Sequence, residues 1–470
     1  MNNADLLYSN RKRKFFRRGI AFAVTSGICY GLYTAFLTLA ETQGVWGDWF
    51  SGNTWGNNNP ALNPFFVTFV LAALAAGIND LFSGICSLVV CAKNHQLKDL
   101  WQTVKTKPGR IMILCAAIGG PLATIAYIIG LNSASAAGNP GVIVPIAALN
   151  CAIGTILGKF FFKQKIQTHK VIGIVICICA AALIGGTSFA NIGPEALLGC
   201  LFAFLAAFGW GFEGCVAGFG TTLIDYRIGI AIRQTSAGLL ELLVAFPILA
   251  AFGGGIGYVP EIINEVITSP FLFIFLISGF FAMPAFSFWY KGNSMCGTAL
   301  GMACNGMYAF WGPFFIWLIM GVFNLGGFSD AYPPLSFIQW IGALIMVLGI
   351  FCIAINPKRA LEKKTKQITT HHKNECTRPS TPLYYAIIGC FFKEDANDAQ
   401  SVISKLKPKY GDNLLLEEKD IQEALATACE NEILEESGYC LDDEGLLKIN
   451  YQITDFGKDL FEKYVGETAQ

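Results

Sequence analysis

Long apolar stretches separated by short polar segments fill the first 356 residues of this 470-residue chain. Each is about 20 residues long or longer, the length that an α-helix needs to cross roughly 30 Å of hydrocarbon. The pattern therefore predicts ten membrane-spanning helices. They are expected at residues 19–40, 64–92, 110–131, 138–160, 170–190, 195–219, 228–252, 269–290, 296–322 and 335–356.

The basic residues between these stretches test the count independently of hydropathy. Lys and Arg are concentrated in residues 1–18 and recur after the second, fourth, sixth, eighth and tenth stretches, whereas the other five connections contain none. Because Lys and Arg accumulate in cytoplasmic loops, this alternation predicts a multi-pass protein of the cell (inner or plasma) membrane with both termini in the cytoplasm. The stretch at 19–40 is too long for the core of a signal peptide and is interpreted as a retained span.

Composition agrees with the bilayer as the main solvent. Charged residues make up 14% of the chain, where a soluble domain carries about 25%. The 16 cysteines lie in apolar runs or in the polar tail, which favours reduced thiols over disulfides. His371, His372 and Cys376 lack a second ligand cluster, and neither a nucleotide-binding loop nor a nucleophile elbow is found. We therefore expect no metal, no cofactor and no enzymatic activity.

The two halves of the apolar region repeat one another in order. Pro121 and Tyr127 in the third stretch recur at the same spacing as Pro284 and Tyr290 in the eighth. Four further matches link the remaining stretches: Ala76–Leu81 with Ala237–Leu242, Tyr30 and Gly31 with Trp210 and Gly211, Pro145 with Pro313, and the segments ending at Gly173 and Gly342. Because a five-helix unit starts and ends on opposite sides of the membrane, its second copy is inverted. The sequence therefore predicts two inverted five-helix repeats, 19–190 and 191–356, around a central cavity.

This duplicated unit resembles the EamA-like family of the drug/metabolite transporter (DMT) superfamily. The resemblance covers roughly residues 19–356. It rests on the aromatic-Gly pairs of the first and sixth helices, on Arg233 early in the seventh, and on the Pro-to-Gly pattern across the fourth and fifth. It implies a proton-coupled or exchange carrier for amino acids, sugars, nucleotide derivatives or similar metabolites.

Two acidic residues fall near the middle of apolar stretches. Asp80 lies in the second and Glu241 in the seventh, at equivalent positions of the repeat. A charge at the centre of a bilayer helix costs about 3 kcal/mol, so such residues are functional candidates. Two facing carboxylates in a poorly hydrated cavity favour proton uptake by at least one of them, which predicts proton coupling through Asp80, Glu241 or both. Pairing with a donor on a neighbouring helix is the structural alternative.

A second charged pair is expected nearer the cytoplasmic side. Glu213 in the sixth stretch lies within reach of Arg233 in the seventh. Such an ion pair is either an inner gate or a lock between two helices. Gln234, seven residues before Glu241, extends a polar stripe on the same helix face.

Other polar and aromatic side chains in the spans are candidates for binding a small polar substrate, with interfacial anchoring or helix bridging as the alternative. The candidates are Tyr30, Asn79, Tyr127, Asn150, Trp210, Gln234, Trp289, Tyr290 and Asn305. Prolines inside the stretches predict helix hinges. These prolines are Pro121, Pro145, Pro284 and Pro313. Glycines four residues apart permit close helix approach within or between subunits, so a homodimer stays open.

Beyond the last stretch, residues 357–380 are charged and poor in hydrophobic residues, which is typical of a linker. Residues 381–470 regain a globular pattern, with helices expected at Asp395–Lys405 and Glu417–Glu436, followed by strand, turn, strand and a helix capped by Thr454. This end resembles part of a winged-helix domain. Its excess of acidic residues lacks the positive surface that nucleic acids need, so we expect a protein-contact or regulatory module in the cytoplasm.

Together these features predict an all-α membrane protein with a small α+β C-terminal domain, and a secondary active transporter that moves a small polar metabolite by alternating access. The alternative is a membrane sensor that binds a ligand and signals through the C-terminal domain.

Overall fold

A computed structural model describes most of the chain. The described residues are 3–54, 61–136, 143–162, 167–189, 194–220, 223–327, 334–354, 381–393, 396–411, 413–442 and 445–464. The predicted linker 357–380, with His371, His372 and Cys376, lies outside them.

Helices make up almost all of the apolar region. In the first half they are α1 (Asn3–Glu41), α2 (Gly44–Phe50), α3 (Leu71–Lys93), α4 (Leu97–Lys105), α5 (Lys107–Ala117), α6 (Ile125–Ala136), α7 (Ile143–Ala147), α8 (Asn150–Phe162) and α9 (Thr168–Phe189). In the second half they are α10 (Pro194–Gly220), α11 (Tyr226–Leu240), α12 (Phe246–Phe252), α13 (Val259–Thr268), α14 (Leu272–Cys296), α15 (Thr298–Asn305), α16 (Tyr308–Ile316) and α17 (Phe337–Ala354).

Within the described residues, seven helices are long and apolar enough to cross a membrane, as expected of a multi-pass membrane protein. They are Asn3–Glu41, Phe66–Lys93, Lys107–Ser133, Leu197–Val216, Tyr226–Phe252, Leu272–Cys296 and Leu300–Val322. The other three predicted stretches are represented by shorter or interrupted helices. The stretch at 138–160 is broken by a turn at Ala148 and Leu149 between α7 and α8, while α9 and α17 occupy the fifth and tenth.

Several of the long helices contain π-helical segments. These are Phe66–Val70 before α3, Ile118–Thr124 between α5 and α6, Glu241–Ala245 between α11 and α12, and Trp317–Val322 after α16. A π-helical turn is rare and often marks a functional site. The segment Ile118–Thr124 contains Pro121, which has no amide hydrogen to continue the α-helical ladder.

The helices pack in a regular set of pairs. The largest contacts are α1 with α14 and α16, α10 with α6 and α8, α3 with α11, and α9 with α17. Glycine makes one of these approaches possible: a methyl group at Gly31 would lie 2.6 Å from the backbone carbon of Trp311 in α16.

The surface of this bundle is apolar and its interior contains charges. Phe252 and Leu243 are 81% and 70% exposed, whereas Glu241, two residues from Leu243, is 0% exposed. In a soluble protein the apolar residues are buried and the charged residues are exposed, whereas here the arrangement is reversed. The reversed arrangement fits contact with lipid, because a charge is tolerated in a membrane helix only where it faces the bundle interior.

The described part of the C-terminal domain has six α-helices and β-strands and a short 3-10 helix at Leu414–Leu416. The six are α18 (Leu383–Phe392), α19 (Ala399–Tyr410), α20 (Glu418–Glu430), the antiparallel hairpin of β1 (Leu434–Leu441) and β2 (Leu447–Ile453), and α21 (Asp455–Tyr464). The predicted hairpin is present, and Thr454 accepts the amide of Gly457 at 2.9 Å as the predicted cap of the last helix. The helix predicted to reach Glu436 is wrong at its end. It stops at Glu430 because Glu432 has a positive φ of 61° and the chain then enters β1.

Candidate functional site

Four charged side chains meet in the interior of the bundle. Asp80 comes from α3, Glu213 from α10, Arg233 from α11, and Glu241 from the π-helical segment that follows α11. All four are 0% exposed. Helix α11 is held in place at its start by Asp225, whose carboxylate accepts the amide of Arg227 at 2.9 Å. From that cap the helix carries Arg233 two turns inward and Glu241 four turns inward.

Arg233 binds two carboxylates at once. Its Nε and Nη2 donate to the two oxygens of Glu213 at 2.8 and 3.1 Å, and its Nη1 donates to Asp80 Oδ2 at 2.9 Å and also to Gln234 Oε1. The guanidinium carbon lies 4.2 Å from the ring centre of Phe286, a cation–π distance. The ion pair predicted between Glu213 and Arg233 is therefore present, whereas its role as a gate stays a prediction.

A second layer of hydrogen bonds orients these carboxylates. The hydroxyl of Tyr290 donates to Glu213 Oε1 at 2.8 Å. Gln234 donates to Ser83 Oγ at 2.7 Å and to Asp80 Oδ1 at 3.4 Å. Asn79 also donates to Asp80 at 3.4 Å and accepts from Ser278 of α14 at 2.8 Å. Four helices therefore hold the site in one geometry.

Glu241 differs from the other two carboxylates because it has no hydrogen-bond partner among the described residues. Both of its oxygens are buried and unpaired there. The side chain lies against Gly120, the residue before Pro121, where an added methyl group would be 3.1 Å from Glu241 Oε1. A buried carboxylate without a donor is costly in an apolar interior, so its persistence points to a function.

The charge balance of the site is negative. Among the residues that the structure describes, three carboxylates face one guanidinium, which leaves two negative charges in excess if all are ionised. Desolvation makes an uncompensated buried charge strongly unfavourable. The site therefore needs added positive charge, supplied by protons or by a cationic group.

The π-helical segment at Pro121 makes room for this cluster. Gly119 lies against the carboxylate of Glu213, where a side chain would collide. Its carbonyl oxygen accepts the indole N–H of Trp210 at 3.0 Å and the hydroxyl of Thr124 at 2.9 Å. The predicted hinge at Pro121 thus coincides with a break in the ladder.

Aromatic rings surround Tyr30 next to the charge cluster. The hydroxyls of Tyr30 and Tyr33 are buried without a hydrogen-bond partner among the described residues. The neighbouring ring centres lie 4.3 to 6.3 Å from that of Tyr30 and belong to Tyr308, Tyr33, Trp210, Phe286 and Tyr127. Electron-rich rings and free hydroxyl groups suit a cationic or polar ligand.

The remaining predicted binding residues have mixed surroundings. Asn305 donates to Ser26 at 2.6 Å and bridges α15 to α1, which matches the structural alternative. Tyr127 shares a 3.3 Å hydrogen bond with Thr34. Asn150 Oδ1 and the indole nitrogen of Trp289 are buried and unpaired in the described part of the chain.

The other predicted hinges lie in helices of different continuity. Pro284 is inside the uninterrupted α14, and Pro313 is inside α16, which leads into the π-helical segment Trp317–Val322. Pro145 is part of the five-residue α7.

Three members of the site, Ser83, Ser278 and Phe286, went unrecognised in the sequence. Ser83 follows Asp80 by three residues and so shares its helix face, a spacing that could have identified it. Phe286 gave no signal, because nothing distinguishes it from the other phenylalanines of the spans.

The chain was also compared with known proteins. No family model and no curated protein matches it. One solved structure, described only as "Crystal structure of protein", is similar with 15% identity and a TM-score of 0.45, over 71% of this chain and 96% of the other.

Proposed function

We propose that this protein is a secondary active transporter of the EamA-like type, with ten spans arranged as two inverted repeats and with both termini in the cytoplasm. The packing pairs support the repeat. If the helices of each half are numbered one to five, exchanging the halves turns the α1–α14 contact into α10–α6 and the α1–α16 contact into α10–α8. The pairs α3–α11 and α9–α17 map onto themselves, as helices next to a two-fold axis do.

Close contacts at the α3–α11 crossing follow the same exchange. Gly77 lies against Leu242, and Gly238 lies against Leu81. These are equivalent positions in the two matching segments of the sequence. Asp80 and Glu241 are also equivalent, which supports an axis that passes near both carboxylates and lies in the membrane plane.

The observation that carries the proposal is the excess negative charge around Arg233, with Glu241 buried and unpaired. A proton-coupled carrier needs an ionisable side chain whose charge is neutralised alternately by a proton and by the substrate. Alternatively, the side chain binds a proton in one conformational state and releases it in the other. Glu241 fits this role because no donor within the described residues competes for it. Asp80 and Glu213 share the guanidinium of Arg233, and in this proposal their ion pairs rearrange when Glu241 gains or loses its proton.

The substrate class follows from the same surroundings. Within the described part of the chain, the hydroxyls of Tyr30 and Tyr33, the amide oxygen of Asn150 and the indole N–H of Trp289 have no partner and can form hydrogen bonds with a ligand in an aromatic setting. A small polar metabolite that carries an amine, such as an amino acid or an amino sugar, fits both the negative charge and these hydrogen bonds.

Flux in proteoliposomes tests the proposal. We expect the wild-type protein to accumulate a component of a labelled metabolite pool when a pH gradient is imposed. Glu241→Gln should lower gradient-driven uptake at least tenfold, because the neutral amide cannot exchange a proton. Glu265→Gln, in the short helix α13 outside the cluster, is the matched control and should transport normally. Uptake and pH dependence that are unchanged in both Glu241→Gln and Asp80→Asn would contradict proton coupling.

A sensor is the second candidate, because the C-terminal domain contacts the helix bundle directly through ion pairs. A sensor would bind ligand without moving it. Ligand binding that is detected as thermal stabilisation, together with zero flux in the same preparation, would favour the sensor.

A further inference from the structure

The C-terminal domain contacts helix ends from both halves of the bundle. In the first half it touches Arg18 of α1 and Asp99 of α4. In the second half it touches Lys291 and Ser294 near the end of α14. All of these contacts lie on the side of the bundle where α1 begins and α14 ends.

One carboxylate joins the two halves. Glu423 of α20 binds Lys291 at 2.8 Å through one oxygen and Arg18 at 2.9 Å through the other. Burial disfavours the charged form of Glu423, but Lys291 and Arg18 outweigh it and hold the pKa of Glu423 below its ordinary value. Lys291 also lies over the rings of Phe22 in α1 and Tyr226 in α11, at 4.5 and 4.7 Å.

A second contact supplies a helix cap from outside the domain. Helix α18 begins after Pro382, which has no side-chain acceptor, so its first amides lack the usual cap. Both oxygens of Asp99 accept the amide of Leu383 at 3.1 Å, and Thr106 shares a 3.1 Å hydrogen bond with Tyr385. The first amide of α18 is therefore capped only while the domain is docked.

The docked interface combines ion pairs and hydrogen bonds with apolar contacts, and it is incompletely filled. A small cleft of about 60 Å³ remains between the domain and the helix ends, lined on the bundle side by Ile224, Arg227 and Lys291 and on the domain side by Tyr384 and Asp420. Water that enters this cleft can replace the ion pairs and hydrogen bonds when the domain separates, which lowers the cost of release.

We propose that the C-terminal domain is a releasable latch that clamps helix ends of both halves together, and that the bundle opens on this side only after the domain is released. Glu423, which binds Arg18 and Lys291, and Asp99, which accepts the amide of Leu383, make its main polar contacts. The latch goes beyond the proposed transport, and its docking can be measured without any substrate.

Hydrogen exchange in lipid nanodiscs tests the latch on the full chain. The amides of Leu383, Tyr384 and Tyr385 are the reporters, because the first turn of a helix has no internal partners for its N–H groups. In the double variant Arg18→Gln and Glu423→Gln, which removes the ion pair between α1 and α20 and the charge that Lys291 binds, we expect these amides and those at the end of α14 to exchange at least tenfold faster. Glu418→Gln is the matched control on the same helix α20, because Glu418 is bonded within the domain to Gln400 and Gln422.

The exchange pattern decides the outcome. Faster exchange confined to the reporters, with β1 and β2 still protected, supports release of a folded domain. Unchanged reporters overturn the latch, and so does faster exchange throughout the domain, which would show that the substitutions unfold it. In proteoliposomes the double variant should transport at least twofold faster than the wild type. If neither protein transports, the proposed transport fails while the exchange result still decides the docking.

Discussion

The bundle interior and the domain interface both depend on ion pairs, but the two sets differ in solvent exposure and in charge balance. Around Arg233 every charged side chain is fully buried, and the carboxylates outnumber the guanidinium. At the interface the exposure of the side chains ranges from 8% for Lys291 through 18% for Glu423 to 39% for Arg18, and the charges are more evenly paired. The same interaction therefore has two uses. Inside the bundle, burying the charges costs free energy, which points to ion or substrate coupling. At the interface, breaking the more exposed ion pairs costs little free energy, which suits reversible docking.

The largest expected effect is the removal of the buried cation. Arg233→Met leaves Asp80 and Glu213 without their shared partner, and breaking a buried pair in this way costs about 3–5 kcal/mol. Denaturant unfolding in micelles should show this loss. Arg227→Met, earlier on the same helix and outside the cluster, should lose far less. Equal losses in the two variants would remove the distinction between the buried and the peripheral charges.

The second largest effect is expected from a change in packing at Gly119. In Gly119→Ala the added methyl group meets the Glu213 carboxylate and forces it away from Arg233. We expect a loss of about 1–3 kcal/mol in unfolding free energy, the usual range for overpacking. Gly257→Ala, where the methyl group meets nothing within 4 Å, is the control. If Gly119→Ala is as stable as the wild type, the close approach of Gly119 to Glu213 is wrong.

The interface should respond to pH through Asp99. Burial raises the pKa of Asp99 to about 6 from an ordinary value near 4, although the Leu383 amide favours its charged form. The docked state thus binds the proton more tightly than the released state, so docking is strongest below pH 4 and weakens as pH rises through 6. Between pH 5 and pH 7 the docking equilibrium should fall about tenfold. Hydrogen exchange at Leu383, corrected for its intrinsic pH dependence, measures this fall. Asp99→Asn should flatten the dependence, and a dependence that persists in this variant would contradict the assignment.

The smallest effect is expected where the ion pair is most exposed. Lys12 binds Glu436 at 2.6 Å, but the lysine side chain is 44% exposed. Glu436→Gln should change unfolding free energy by about 0.5 kcal/mol or less, because solvent screens such pairs. If Glu436→Gln lost as much unfolding free energy as Arg233→Met, solvent exposure would not explain the difference between the bundle interior and the interface.

Local features were readable from the sequence, and long-range features were not. Apolar length placed the long helices, and the short spacing between Arg233 and Glu213 across adjacent helices suggested their ion pair. Hairpin and cap signals predicted β1, β2 and the start of α21. The sequence contained no signal for the positive φ of Glu432, so the end of α20 was not predicted correctly. Asp80 was expected to face Glu241, yet it binds Arg233, because its partner is set by how α3 crosses α11. The docking of Glu423 on Arg18 and Lys291 joins residues more than 100 positions apart, which no local pattern encodes.

The central claim is that the excess negative charge around Arg233 is balanced by protons that move with substrate. It is tested most directly by a pH-sensitive dye enclosed in proteoliposomes, which records proton movement when the metabolite pool is added outside. We predict substrate-dependent proton movement for the wild type and for Glu265→Gln, and its loss in Glu241→Gln. Identical proton movement in Glu241→Gln and the wild type would contradict the account.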